Sequence, residues 1–210
     1  MVIAFEGIDG SGKSTQAQKL AQRLQDLGKI VHLTQEPTQN PLGKMIRNQF
    51  AHPDCASQEI IAGLFVADRL DHIFNKDYGM KKHSEEGAIV VTDRYYISSY
   101  AYQAVYMPLD WLMMANSYAA QSLPADLHLF IDVEPDIALS RINANRSNVD
   151  LYETKEMLLK VRANYLTAFE LLKNKEKIIF IDGNQSQDLV GEQVLNQVLQ
   201  FIKSKNKIQP

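Results

Sequence analysis

An eight-residue stretch, Gly7-Ile8-Asp9-Gly10-Ser11-Gly12-Lys13-Ser14, restricts the possible fold more than any other part of the chain. It follows the apolar run Val2 to Phe5 and precedes Ala17, Leu20, Ala21, Leu24 and Leu27, which recur at helical spacing. The segment therefore predicts strand, glycine turn and helix, the context in which the Walker A pattern is meaningful. The glycines let the backbone wrap so that several N–H groups converge on a phosphate, and the positive end of a helix dipole lies behind them. In that arrangement Lys13 reaches the β- and γ-phosphates and Ser14 holds Mg2+. The loop identifies a nucleotide site but leaves the reaction open.

The remaining pattern supplies the scaffold. Ile30 to Thr34 alternates apolar and polar side chains like a strand until Glu36-Pro37 breaks it. Ser57 is a cap for a helix whose apolar face is expected from Ile60, Ile61, Leu64, Phe65 and Ala67. Ala88 to Thr92, Leu127 to Val133 and Ile178 to Ile181 read as further strands. Helices are expected from Pro135 through Asn143, Thr154 through Leu172 and Asp188 through Ile202, with a frayed tail at Lys203 to Pro210. Alternation of this kind predicts an α/β fold of three layers, the P-loop NTPase type: a parallel five-stranded sheet flanked by helices. Ligands then gather beyond the C-terminal ends of the strands.

With 210 residues, 45% hydrophobic and 22% charged, one domain spanning 1–210 is expected. A net charge of −3 exerts no bulk pull on nucleic acid or an anionic membrane, so no nucleic-acid partner is expected and phosphate sites must come from locally gathered cations. Cys55, the only cysteine, permits no intramolecular disulfide and no thiolate cluster. The chain shows neither a membrane-length apolar run nor a signal-peptide pattern, which points to the cytoplasm and away from a membrane partner.

Two features separate transfer from hydrolysis. The guanine-reading Asn-Lys-x-Asp pattern is replaced by Asn75-Lys76-Asp77, which lacks the intervening residue. At the end of the third strand, Asp93 is followed by the cation Arg94 where motor-type ATPases commonly carry a glutamate that activates water. A cation there suits an anionic acceptor. If that acceptor is a nucleoside monophosphate, its oxygen is already nucleophilic, and catalysis reduces to aligning two anions and screening their repulsion. Arg47, Arg69, Arg94, Arg141 and Arg146 are candidates, the last two beside a helix break that suits a short lid at about 143–153.

The chain resembles the thymidylate kinase family through Phe5 to Thr15, Glu36-Pro37, Leu64-Phe65-Val66-Ala67-Asp68-Arg69 and Asp93-Arg94-Tyr95-Tyr96-Ile97-Ser98-Ser99-Tyr100-Ala101-Tyr102-Gln103. The resemblance implies an enzyme that uses ATP and Mg2+ to phosphorylate dTMP to dTDP in dTTP biosynthesis. Another nucleoside monophosphate or deoxynucleoside kinase is the nearest alternative, and a non-catalytic ATP-binding module a more distant one. It implies that Gly7, Ile8, Asp9, Gly10, Ser11, Gly12, Lys13, Ser14 and Thr15 hold ATP, with Ser14 and Asp93 at the metal. By the same resemblance Asp9 accepts from the acceptor 3′-hydroxyl, Tyr102 blocks a 2′-hydroxyl, Phe65 stacks on thymine and Arg69 donates to a base oxygen. The spacing of Phe65 and Arg69 independently places them on one helix face. Ser99 and Gln103 would complete the base pocket. Arg47 and Arg94 would bind the dTMP phosphate, Glu36 would lie near metal and phosphate, and Pro37 would shape the acceptor pocket. Because the loop carries no arginine, Arg146 and Arg141 are the implied lid cations, with Lys13 and Arg94 as the other catalytic residues. The family pattern is broken at Gln35, Ala104 and Leu151. Family members are usually homodimers, and Trp111, Met113 and Met114 are compatible with such a surface.

Overall fold

Five short runs rich in Val, Ile, Leu and Phe form the strands β1 (Val2–Glu6), β2 (Val31–Gln35), β3 (Ile89–Asp93), β4 (Leu127–Asp132) and β5 (Ile178–Asp182). In the computed structural model, which describes residues 1–51, 57–145 and 154–206, they pair in the order β2-β3-β1-β4-β5. Every pairing is parallel. The sheet centre is apolar on both faces, as a parallel sheet covered by helices requires, and Ile3, Ala4, Phe5, Val90, Val91, Leu127 and Leu129 are buried. The expected five-stranded parallel architecture is present, with strand ends shifted by one residue or so: β2 and β3 each begin and end one residue later than their alternation suggests.

The helices are α1 (Lys13–Asp26), α2 (Pro41–Ala51), α3 (Gln58–Phe74), α4 (Met80–Glu85), α5 (Tyr96–Tyr102), α6 (Leu109–Ala115), α7 (Ser117–Ser122), α8 (Pro135–Asn145), α9 (Lys155–Leu172) and α10 (Gln187–Asn206). A single 3₁₀ turn, Gln103–Val105, extends α5. Ser57 caps α3 by accepting from the Ile60 N–H, and Thr154 caps α9 by accepting from Met157, contributions of about 1 kcal/mol each. Thr154 is thus the cap of its helix and lies outside the first turn. The α3 face is narrower than expected. Ile61 and Phe65 point inward while Ile60 is 55% exposed, because residues at i and i+4 share a face and Ile60 is rotated about 100° from Ile61. α10 runs on to Asn206, so the first part of the tail expected to fray from Lys203 is helical, and 207–210 lie outside the described residues.

The topology sets the position of the site. From β1 the chain crosses outward to β2; from β3 it crosses back over β1 to β4. The exits of β1 and β3 therefore diverge, and adjacent strands with diverging exits leave a crevice at their C-terminal ends. The register pairs Phe5 with Asp93, and the Arg94 N–H donates to Phe5 O at 2.9 Å. The glycine loop and the Asp93-Arg94 pair are thereby brought side by side.

Candidate active site

The crevice between the β1 and β3 exits opens into a cleft of about 580 Å3. On its donor side it is lined by Asp9, Gly10, Gly12, Lys13, Ser14 and Thr15. Gly10 occupies a left-handed conformation (φ +74°), and a β-carbon there would stand 2.3 Å from Ala138 O, so the loop seats against α8 only with glycine at this point. Lys13 opens α1 and is 5% exposed, with Nζ donating to Ile8 O at 2.8 Å. Burial pushes its pKa down to about 8; the nearby Arg94 charge adds to that effect, while Asp9, Asp93 and Glu6 oppose it. A phosphate arriving at Nζ therefore meets a cation held at an electrostatic cost. Gly7, Ile8 and Ser11 form the back of the loop, where Ile8 O also accepts from the Ser11 N–H.

At the β3 exit, Ser14 Oγ donates to Asp93 Oδ2. The other carboxylate oxygen, Asp93 Oδ1, is buried without a hydrogen-bond partner among the described residues. Arg94 adopts φ +72°, a conformation that costs a non-glycine residue roughly 1–2 kcal/mol. It is held there by its own N–H on Phe5 O and by the Thr92 hydroxyl, which donates to Arg94 O at 2.8 Å. This backbone directs the guanidinium back across the cleft, where it pairs with Asp9 and lies 4.6 Å from the centre of the Tyr102 ring. Burial alone would raise the Asp9 carboxyl, yet the Arg94 and Lys13 charges outweigh it and hold the group below its ordinary range. The same pairing holds Arg94 firmly charged despite its burial.

The acceptor side is built by α2, α3, α5 and the segment after β2. Arg47 donates to Pro37 O at 3.1 Å, to Thr38 O at 2.6 Å and to Gln39 Oε1 at 3.2 Å. The Glu36-Pro37 peptide is cis. Phe65 lies on the cleft wall with Phe50, their ring centres 6.3 Å apart, in a small apolar cluster with Ile46 and Ile61. One turn along α3, Arg69 is 1% exposed and its five donors are distributed over named acceptors. Nε and Nη2 reach Glu36 Oε2 at 2.9 and 2.6 Å, Nη2 also reaches Tyr95 O at 3.2 Å, and Nη1 reaches Ser99 Oγ at 3.0 Å and Asn116 Oδ1. His72 contacts the remaining Glu36 oxygen through Nδ1 at 3.1 Å and Thr34 Oγ1 through Nε2 at 2.7 Å. Burial works against the Glu36 charge, but Arg69 and His72 together hold its carboxyl below the usual range.

Most of the residues singled out from the sequence converge on this cleft: Asp9, Lys13, Ser14, Glu36, Pro37, Arg47, Phe65, Arg69, Asp93, Arg94, Ser99, Tyr102, Gln103 and Arg141 all line it. Two assignments are reshaped by the contacts. Both oxygens of Glu36 are engaged by Arg69 and His72, so its carboxylate anchors this wall of the cleft that Ser14 and Asp93 also line. Arg69 is fully committed within the wall, so any ligand that takes one of its donors must displace one of its present acceptors. Arg141 belongs to α8, with Nη2 donating to Gly183 O at 2.9 Å. Helix α8 continues to Asn145, and Arg146 with 146–153 of the expected lid lies outside the described residues, as does Cys55. Sequence reasoning passed over Phe50, whose spacing of four from Ile46 was a usable signal, and Asn116, which sits between two short helices and carries none.

Comparison with known proteins gives a uniform result. The sequence profile described as Thymidylate kinase matches residues 5–194. The chain is 34% identical to a probable thymidylate kinase of Methanosphaera stadtmanae over 97% of its length and 100% of the relative's. It is 37% identical to a probable thymidylate kinase of Thermococcus kodakarensis, covering 97% and 98%. A third protein of that description, from Pyrococcus horikoshii, is 40% identical over 80% of this chain and 82% of its own.

Proposed function

Because the chain belongs to the thymidylate kinase family and phosphorylates dTMP with ATP as donor, we propose that the single cleft seats both nucleotides, with ATP on the glycine loop and dTMP against α2, α3 and α5. One observation carries this reading: the same crevice is walled on one side by the phosphate loop and on the other by Arg47, Arg94 and Phe65. An attacking dTMP phosphate oxygen needs no general base. The work of the protein is to hold it in line. Arg94, kept charged and aimed across the cleft by its backbone, binds the acceptor phosphate with Arg47, and Lys13 stabilises charge on the transferring group.

The pairing of Asp9 with Arg94 fixes the carboxylate at the junction of the two sites, where it accepts from the acceptor 3′-hydroxyl. Tyr102, packed beneath Arg94, closes the space a 2′-hydroxyl would need. Phe65 stacks on thymine with Phe50 behind it, while Ser99 and Gln103 supply polar groups to the base edge. Arg141 and Arg146 close over the donor phosphates from a lid at 143–153, within a single domain of residues 1–210. Mg2+ fits the β3 exit, since an unpartnered buried Asp93 oxygen beside the Ser14 hydroxyl is the hard-oxygen set that ion prefers. Bound there by Ser14 and Asp93, it would neutralise phosphate charge.

The protein works as a homodimer through α6 and α7, where Met114 and Tyr118 are exposed and Tyr118 stacks on Phe74 with centres 5.5 Å apart. No helix among the described residues is long and apolar enough to cross a membrane. The place of action we propose is the cytoplasm, where the reading of a nucleotide kinase puts it. The test is a substrate panel of dTMP, dUMP, dCMP, dGMP and thymidine with ATP and Mg2+. The expected outcome is the largest kcat/KM for dTMP; a strong preference for thymidine overturns the assignment of the acceptor phosphate site.

A further inference from the structure

The acceptor phosphate is gripped by residues on different elements, and something must fix one grip relative to the other. Arg94 is fixed by strand register. Arg47 is on α2, and among the described residues its guanidinium is anchored by the carbonyls of Pro37 and Thr38 and by the Gln39 side chain. The position of Arg47 therefore depends on the position of the Thr38 peptide. Thr38 is 4% exposed and is held from two directions. From α2, Gly43 lies so close that a β-carbon would stand 1.9 Å from Thr38 O and 2.6 Å from Thr38 N, so the helix rests directly on this peptide. From α3, the fully buried Asp68 takes the Thr38 N–H on Oδ2 at 2.8 Å and the Thr38 hydroxyl on Oδ1 at 2.5 Å. Both oxygens of the carboxylate are thus engaged by one residue.

We propose that Asp68 is a positioning residue for the acceptor phosphate: through its two-point hold on Thr38 it sets the carbonyls on which the Arg47 guanidinium rests. Asp68 precedes Arg69 and follows Phe65 by three residues, so α3 carries the base contacts and the phosphate clamp on adjoining parts of one face. A single rigid helix thereby fixes the distance between the base pocket and the phosphate grip, a length set by the deoxynucleotide itself. The inference rests on the reading of Arg47 as an acceptor-phosphate ligand.

The test uses the full chain carrying Thr38→Val or Thr38→Ser, each alone and combined with Arg47→Ala, with initial rates measured against dTMP and against ATP. Valine keeps the shape and the N–H bond but removes the hydroxyl bond, so KM for dTMP should rise about tenfold while KM for ATP changes less than about twofold. Serine restores the hydroxyl and should stay within about twofold of the parent for both substrates. In the Arg47→Ala background the valine change should add less than about twofold, since there is no guanidinium left to misplace. The same valine factor with and without Arg47, or an equal rise in both KM values, overturns the clamp. If Arg47→Ala alone leaves KM for dTMP at the parent value, the phosphate role of Arg47 fails instead, and a valine effect persisting there overturns the clamp as well. Should the valine variant be unfolded at the assay temperature, Asp68→Asn, which preserves the side-chain outline, carries the same pair of expectations.

Discussion

Lys13 should make the nucleotide-free protein less stable than a variant lacking its charge. Its ammonium is buried and its pKa falls from 10.5 to about 8. That displacement corresponds to about 3 kcal/mol of preference for the unfolded chain while the group is charged in both states. Lys13→Met keeps the apolar stem and removes the charge, at the loss of one charge-assisted hydrogen bond to Ile8 O worth about 1.5 kcal/mol. The net gain is roughly 1.5 kcal/mol, or about 3–6 °C in Tm for a chain of this size. The pH dependence has a definite sign. Below the folded value the penalty is fully present; above it the folded lysine sheds its proton while the unfolded one keeps it, and the parent regains stability. The Tm difference between variant and parent should therefore be largest near neutral pH and narrow toward zero by about pH 10. Thermal unfolding of both proteins, without nucleotide, across that range provides the assay, and turnover of the variant should be lost throughout. A variant no more stable than the parent at neutral pH, or a Tm gap that does not close as pH rises, refutes the reasoning.

Glu36→Gln leaves the buried Arg69 guanidinium without its counter-charge and should destabilise the fold by about 3–5 kcal/mol, read by denaturant unfolding. Because the Glu36 carboxyl is held below its ordinary 4.5, the parent's advantage over that variant should be full above that pH and shrink as pH falls below it. Phe65→Ala removes a cleft wall and a buried ring, so it should cost about 3 kcal/mol of stability and raise KM for dTMP at least tenfold, with KM for ATP little changed. Ser14→Ala should raise the Mg2+ concentration needed for half-maximal rate while leaving dTMP binding, measured calorimetrically, near that of the parent.

The parts of the fold legible in the sequence are those with a strong period or a rigid chemical requirement. β1, the glycine loop and α1 could be read together because an apolar run, three glycines and a helical repeat allow no other arrangement. Helix α3 was visible through its cap Ser57, and α9 through its long amphipathic run. What escaped were α2 and the short helices α4 to α7. These have between six and eleven residues, too few turns for a periodic face to emerge, and α2 carries Gly43 where a helix former is expected. The site divides along the same line. Lys13, Asp93 and Arg94 follow from strand ends, whereas the Glu36 and Asn116 partners of Arg69, and the His72 that backs Glu36, are brought together only by tertiary packing. A spacing of four could place Phe65 and Arg69 on one face of α3, but it could not show that the guanidinium's donors are consumed within the protein. The family resemblance implied a place for Glu36 near the metal and phosphate; no spacing in the sequence could show that Arg69 and His72 engage both of its oxygens.

The central claim is that donor and acceptor meet end to end in one cleft. A conjugate joining adenosine to thymidine, 5′ to 5′, through a chain of phosphates long enough to span both sites tests it most directly by calorimetry and inhibition kinetics. One conjugate should bind per chain and compete with ATP and with dTMP alike, and Arg94→Ala should weaken it. A conjugate that displaces only one of the two substrates, or that binds twice per chain, would contradict the account.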